Sequence, residues 1–313
     1  MTPIGADQTP RALSRALRTW SRIVRATIPA LALACLPAAA QRSASPSPGQ
    51  EVALVTGSTS GLGREVALRL GARGAHVIVH GRSVERGNEV VDEINAGPGS
   101  ARFYGADFAS FDQVRALAEA ILRDYERLDV LVNNAGFGSA PNERLVSEDG
   151  HEFRFQVNYL APFLLTHMLL PLVQESTPSR IVNVSSLAQQ PINWDDVMIE
   201  NDFSGGRAYG QSKLAQVGFT FDLHEALAGS GVMVTALHPA TYMPTGMVRR
   251  AGAEPRSTID EGATAVMQLI VSDKIESGLF FNGLVPQRAH AQAYDLESRR
   301  RLRELSRELT GLR

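Results

Sequence analysis

Cysteine is almost absent from this chain of 313 residues: the single Cys35 excludes an intrachain disulfide and any cysteine-rich metal site. Histidine is scarce as well, at seven, and no structural metal is expected. Charge of one sign is lacking, since acids and bases nearly cancel to a net charge of −2, so nothing electrostatic points to a nucleic-acid partner. The apolar run at 28–36 is too short to span a bilayer comfortably, and no stable membrane span is expected in the mature body. No repeat period and no low-complexity run interrupts the chain from residue 51 onward. What is present is an ordinary 44% of apolar residues, enough for a full core in one large α/β domain.

Residues 1–48 differ from the rest. Arg11, Arg15, Arg18, Arg22, Arg25 and Arg42 face one acid, Asp7, and an apolar run and small-residue site follow before a Ser/Pro linker. That order resembles a secretory signal. A cytoplasmic location is nevertheless expected, because the chemistry below needs a soluble cofactor; export is the alternative if the leader is a real signal. The body, residues 49–313, is read as one domain.

Short β-branched runs at 52–56, 76–80, 130–133, 180–184 and 232–237 read as buried parallel strands, with 101–105 and 279–281 as further members. Amphipathic stretches at 64–72, 84–95, 113–125, 153–172, 209–228 and 261–271 read as the helices between them, and 287–309 as a terminal amphipathic helix. The alternation predicts an α/β fold with a doubly wound parallel sheet, covered on both faces.

The first strand runs into Thr56-Gly57-Ser58-Thr59-Ser60-Gly61-Leu62-Gly63 and then a helix. Glycines at such a turn permit a tight bend, a close approach to a pyrophosphate and a helix start packed on the strand, while the helix N-terminus offers unpaired N–H groups. This segment is therefore the candidate dinucleotide loop. The second strand ends in His80-Gly81-Arg82-Ser83, with no acid and one arginine. A carboxylate there would take a ribose 2′-hydroxyl, whereas Arg82 suits a 2′-phosphate, so NADP(H) is expected over NAD(H). Further along, Tyr209 and Lys213 stand four residues apart, which on a helix places them on one face. An ammonium beside a phenol favours phenolate and brings Tyr209 towards useful acid/base range.

The sequence Thr56-Gly57-x3-Gly61-x-Gly63, then Asn133-Asn134-Ala135-Gly136, then Tyr209-x3-Lys213 resembles the short-chain dehydrogenase/reductase family, over essentially all of 51–313. A lengthened segment before Tyr209 is similar to the retinol-dehydrogenase-like branch. The resemblance implies a Rossmann fold and hydride transfer between a nicotinamide cofactor and the carbonyl or alcohol of a small lipophilic substrate. It implies catalytic roles for Asn158, which anchors a relay water, for Ser186, which holds the substrate oxygen, for Tyr209, the proton donor, and for Lys213, its tuner. Ser185 is the neighbouring alternative to Ser186. Cofactor contacts are implied at Thr56, Gly57, Ser58, Ser60, Gly61, Leu62, Gly63 and Arg82, and at Asp107 and Phe108 beside the adenine. They are implied also at Asn133, Asn134, Ala135 and Gly136, at Tyr209 and Lys213, and at Pro239, Ala240 and Thr241. Helices 153–172 and 209–228 are candidates for pairing across a two-fold axis in a homodimer, by analogy with family members.

Two departures from the family pattern stand out. Ser186 and Tyr209 are 23 positions apart, so the intervening segment is expected beside the pocket as part of its wall. After the sixth strand, Ala240 stands where family members have glycine, and both Thr241 and Thr245 are candidates for the nearby cofactor contact. The stretch 243–255 is expected to form a lid, with Met243 and Met247 as adaptable apolar wall. Two other functions share parts of the pattern. A non-catalytic NADP(H)-sensing interaction protein has no need of a proton relay. A nucleotide-sugar epimerase or dehydratase generally has Gly-x2-Gly-x2-Gly and a larger C-terminal substrate domain.

Overall fold

A computed structural model describes residues 45–312. The leader reading at 1–48, Cys35 included, therefore lies outside the described residues except for its last four positions.

Eight strands form one sheet in the order β3-β2-β1-β4-β5-β6-β7-β8. They are β1 (Val52–Val55), β2 (His76–Gly81), β3 (Ser100–Gly105), β4 (Val130–Asn133), β5 (Ser179–Val184), β6 (Val232–His238), β7 (Phe280–Asn282) and β8 (Val285–Pro286). Every pairing is parallel except β7 with β8. β1, β2 and β4 are buried along their whole length, which is why they read as continuous apolar runs and not as alternating ones.

Helices α1 (Gly61–Ala72), α2 (Val84–Asn95) and α8 (Ile259–Val271) cover one face, where Val66, Leu70, Val90, Ile94, Val266 and Leu269 share a core with β1 and β2. On the other face lie α3 (Phe111–Asp124), α5 (Ala161–Glu175) and α6 (Gly205–Ala226), contributing Val114, Ile121, Leu164, Leu165, Leu214 and Phe219. The doubly wound parallel fold expected from the sequence is the fold observed. The chain reverses direction across the sheet between β1 and β4, and open α/β sheets bind ligands at the carboxyl ends of strands at such a switch point.

Three elements differ from the sequence reading. The stretch expected as one helix from 153 is α4 (Phe153–Phe155), a π-helical turn at Gln156–Leu160 and α5. Among the described residues this helix alone, Phe153–Glu175, is long and apolar enough to cross a membrane, and 78% of its apolar window is buried, as befits a core helix. The terminal stretch splits into a 3-10 turn (Ala291–Tyr294) and α9 (Leu296–Thr310), because Asp295 caps α9 by accepting from Ser298 N at 2.8 Å. A short helix, α7 (Gly246–Arg250), stands within the stretch 243–255, capped by Thr245.

α9 lies across α6 and the π-helical turn. Leu302 enters the core, Ser306 Oγ pairs with Tyr159 Oη at 2.7 Å, and Arg299 meets Glu225 at 2.7 Å. Part of the α6 surface is thus covered from within the chain.

Candidate active site

The phosphate cradle is built at the β1–β4 junction. Thr56 Oγ1 donates to Val132 O at 3.2 Å and accepts from Asn134 N at 2.9 Å and Ala135 N at 3.0 Å, so one hydroxyl closes the two strand ends together. Asn134 Nδ2 returns the contact by donating to Thr56 O at 2.8 Å. Gly57 has φ +67°, and a Cβ there would lie 2.8 Å from Ala135 Cα. A Cβ on Gly63 would strike the Asn134 amide and lie 2.5 Å from Gly57 O. Both positions therefore exclude side chains. Ser60 precedes α1 in extended conformation with no side-chain cap, and no acid occupies the first turn. The N–H groups at that end are left open to an anion, and the donor set fits the diphosphate of a dinucleotide.

His80 at the end of β2 supports this loop, a role that nothing in the sequence signalled. Its Nδ1 accepts from Gly57 N at 3.2 Å, which makes Nε2 the donor to Ala106 O at 3.2 Å. The ring stacks on Phe108 at 4.6 Å, and burial lowers its pKa to about 4, so it is neutral. His76 and His80 form a His-x3-His spacing, but the His76 ring is spent on Ser100 and Tyr125. No group of three potential metal ligands gathers among the described residues.

Several expected contacts have side chains that face elsewhere. Ser58 Oγ accepts from His80 N at 3.0 Å, tying the loop to β2. Phe108 is buried under His80, and Leu62 belongs to the core. Asn133 Nδ2 donates inward, to Thr166 Oγ1 at 3.0 Å and Asn183 Oδ1 at 2.8 Å. Thr241 pairs with His238 Nε2 at 3.0 Å, whereas the Thr245 methyl faces Gly61, 3.2 Å from where a Cβ would stand. Pro239 and Ala240 directly follow β6. At the outer end of the cradle, exposed Arg82 pairs with Asp107 at 3.4 Å.

Ser186, Tyr209, Lys213 and Asn158 converge. Tyr209 and Lys213 lie one turn apart on α6. The Ser186 hydroxyl neighbours the Tyr209 phenol and acts to lower its pKa, and its Oγ accepts from Ala188 N at 3.1 Å. Ser185 turns away, donating to Lys213 O at 2.8 Å. Asn158 sits in the π-helical turn, accepting from Phe137 N at 2.6 Å and donating to Phe137 O at 3.0 Å and Ser212 Oγ at 2.9 Å. π-turns inside helices recur at functional sites. A Cβ on Gly136 would be 3.3 Å from Asn158 Oδ1 and 3.8 Å from Lys213 Nζ, so these two groups meet across that glycine.

The electrostatics depart from expectation. Burial pushes the Tyr209 phenol up, and the neighbouring Ser186 hydroxyl only partly offsets it. Lys213 Nζ donates to Val184 O at 2.8 Å and Gln216 Oε1 at 3.2 Å, and lies 5.9 Å from the centre of the Tyr209 ring. Burial without a carboxylate partner lowers its pKa to about 7.

The loop after β4 is organised by Arg154, a second residue whose role the sequence did not reveal. Its buried guanidinium spends all five N–H donors. Nε donates to Gly138 O at 2.9 Å, Nη1 to Glu152 and Glu143 O, and Nη2 to Ser139 O and Pro141 O. Phe137 and Phe203 flank it at 5.3 and 5.5 Å. Across the loop so fixed, Met247 of α7 packs at Gly138 and Arg250 lies over Phe137 at 5.6 Å. Met243 instead packs, partly buried, against Leu62 and Gly262 at the edge of the core. The long segment before Tyr209 also turns inward: Ile192 and Ile199 are buried, and Trp194, Val197 and Met198 pack on the core.

Residues 51–256 match the sequence profile of the short chain dehydrogenases. The chain is 35% identical to retinol dehydrogenase 13 of Mus musculus over 291 residues, spanning 85% of each protein. The structure is similar to that of an uncharacterized protein from Mycobacterium Paratuberculosis, with a TM-score of 0.69 and 30% identity over 85% of this chain and 96% of that one. It is similar also to the Pseudomonas aeruginosa RhlG/NADP active-site complex, with a TM-score of 0.61 and 27% identity over 74% and 94%.

Proposed function

The chain belongs to the short-chain dehydrogenase family, and from that premise we propose that it is an NADP(H)-dependent reductase of small lipophilic carbonyl compounds with Tyr209 as proton donor. As a family member it is an oxidoreductase that uses a nicotinamide cofactor and acts on alcohol or carbonyl groups of a small molecule. The observation that carries the finer reading is the convergence of Ser186, Tyr209, Lys213 and Asn158 beside a glycine cradle that excludes side chains.

NADPH, when bound, supplies the hydride. The chain supplies position and the proton. Thr56, the glycine loop and the open end of α1 hold the diphosphate, and Arg82 exchanges Asp107 for the 2′-phosphate. Ser186 donates to the substrate oxygen where negative charge develops, with its Oγ already fixed by Ala188 N. Tyr209 gives that oxygen its proton, a step suited to a phenol whose pKa burial has raised, since the raised phenol is protonated throughout the physiological range. Lys213, with a pKa near 7, restores the proton through water held by Asn158. The lipophilic preference rests on partly buried Phe137, on Met247 at Gly138, and on exposed Leu187, next to Ser186, and Tyr242. The RhlG/NADP complex supports the choice of NADP(H). A cytoplasmic location would supply that soluble cofactor, and a homodimer through α5 and α6 is the assembly proposed by analogy with family members.

The test is a panel of aldehydes and ketones followed at the nicotinamide absorbance, with NADPH and NADH in parallel. NADPH consumption that exceeds NADH consumption is expected. A preference for NADH overturns the role given to Arg82.

A further inference from the structure

The long segment between Ser186 and Tyr209 buries Ile192 and Ile199 and packs Trp194, Val197 and Met198 on the core, which leaves open what its length achieves. Three glutamines answer this, each spending both ends of its carboxamide on backbone. Gln211, between the tyrosine and the lysine on α6, accepts from Asn193 N at 3.0 Å and donates to Val197 O at 2.6 Å. Gln292, before α9, accepts from Ile192 N at 2.7 Å and donates to Ile192 O at 3.3 Å. These two bind the middle of the segment to α6 and to the C-terminal region. Gln189 reaches the site itself: it accepts from His290 N at 2.9 Å and donates to Ser186 O at 2.8 Å.

That last bond falls where the sheet stops restraining the chain. Ser185 N donates to Leu237 O at 2.7 Å, continuing the β5–β6 ladder, and Ser186 is the next residue. Beyond the ladder, the Ser186 carbonyl is held by Gln189 and its Oγ by Ala188 N. The same short stretch presses on α6 beside Tyr209: Gln190 N donates to Gly210 O at 3.1 Å, and a Cβ on Gly210 would lie 2.5 Å from Ala188 O. A donor that stabilises developing charge loses much of its effect when displaced by about 1 Å, on the order of a hundredfold in rate.

We infer that Gln189 is a positioning residue, clamping the Ser186 backbone to the C-terminal segment at His290 so that the Ser186 hydroxyl stays aimed at Tyr209 and the substrate oxygen. This rests on the proposed role of Ser186 as donor to that oxygen. Gln189 touches neither substrate nor cofactor and acts through Ser186.

A double-mutant cycle on the full chain separates this role from plain structural support. Gln189→Met keeps the side-chain length and removes both hydrogen bonds. With NADPH and the best substrate of a C6–C12 aldehyde and ketone panel, it is expected to lower kcat about tenfold or more, with little change in the NADPH Kd read by fluorescence. In a Ser186→Ala background the same substitution is expected to change kcat less than twofold. His290→Pro is the second variant: His290 already has φ −57°, close to the proline value, so the change removes the N–H that Gln189 accepts together with the imidazole Nδ1 that accepts from Gln292 N at 3.2 Å. It is expected to lower kcat more mildly, again only when Ser186 is present. Equal losses in both backgrounds, or an unchanged kcat in Gln189→Met, overturn the inference. Absence of turnover by the unmodified protein across the panel removes the proposed function and this inference with it. Turnover that Gln189→Met leaves intact removes the inference alone.

Discussion

Lys213 places an ammonium in the core with a carbonyl and an amide oxygen for partners, and its pKa falls to about 7. Below that value it carries its proton; above it the buried amine is neutral. Because kcat/KM reports groups of the free enzyme, reductive kcat/KM is expected to fall as pH rises through about 7, and Lys213→Met is expected to lose that limb. A flat profile from pH 6 to 9 in the unmodified protein would count against the role of Lys213. Arg82 makes a separate prediction: Arg82→Ala should raise KM for NADPH about tenfold, the scale of one charge-assisted hydrogen bond, and leave KM for NADH nearly unchanged. Ser186 and Asn158 were pointed to only by the family resemblance, whereas Tyr209 and Lys213 were legible from their spacing as sharing a face. His80 and Arg154 were not, since a histidine that props a glycine loop from the next strand, or an arginine that gathers four carbonyls from a distant loop, depends on approaches that sequence spacing does not encode.

Among the elements, the loop after β4 depends on one side chain. Arg154 and Glu152 form a fully buried pair, and burial raises the Glu152 carboxyl while Arg154 offsets part of that rise. Arg154→Met would leave Glu152 and four carbonyls without their donor, which is expected to cost about 3–5 kcal/mol by urea unfolding. A loss under about 1 kcal/mol would show that the loop holds itself. Alternating strands and helices were readable because β1, β2 and β4 are apolar throughout and the helices carry a 3.6-residue stripe. The π-helical turn was not, since one extra residue in a turn barely disturbs that stripe. α7 was hidden for a different reason: its five residues bury nothing, so it has no apolar face to read.

At the scale of the whole molecule, α9 decides which surfaces face solvent. Through Leu302 and Arg299 it packs on α6, one of the elements that the family resemblance suggested for two-fold pairing, and through Ser306 on Tyr159 of the π-helical turn. The sequence showed the amphipathic stripe of α9 but not its landing place, because a stripe fixes which side is buried and not against what. A chain ending at Asp295 is expected to self-associate, whereas the full chain does not pair through that face; light scattering on both checks this, and a truncated chain that stays monomeric contradicts it. The function of the assembled molecule is tested most directly by one comparison. Unmodified protein and Tyr209→Phe are each given NADPH and the carbonyl panel, with turnover followed at the nicotinamide absorbance and cofactor affinity measured alongside. The expected result is turnover in the unmodified protein and a loss of at least about a hundredfold in Tyr209→Phe at unchanged NADPH affinity. Equal turnover in the two proteins would contradict the account.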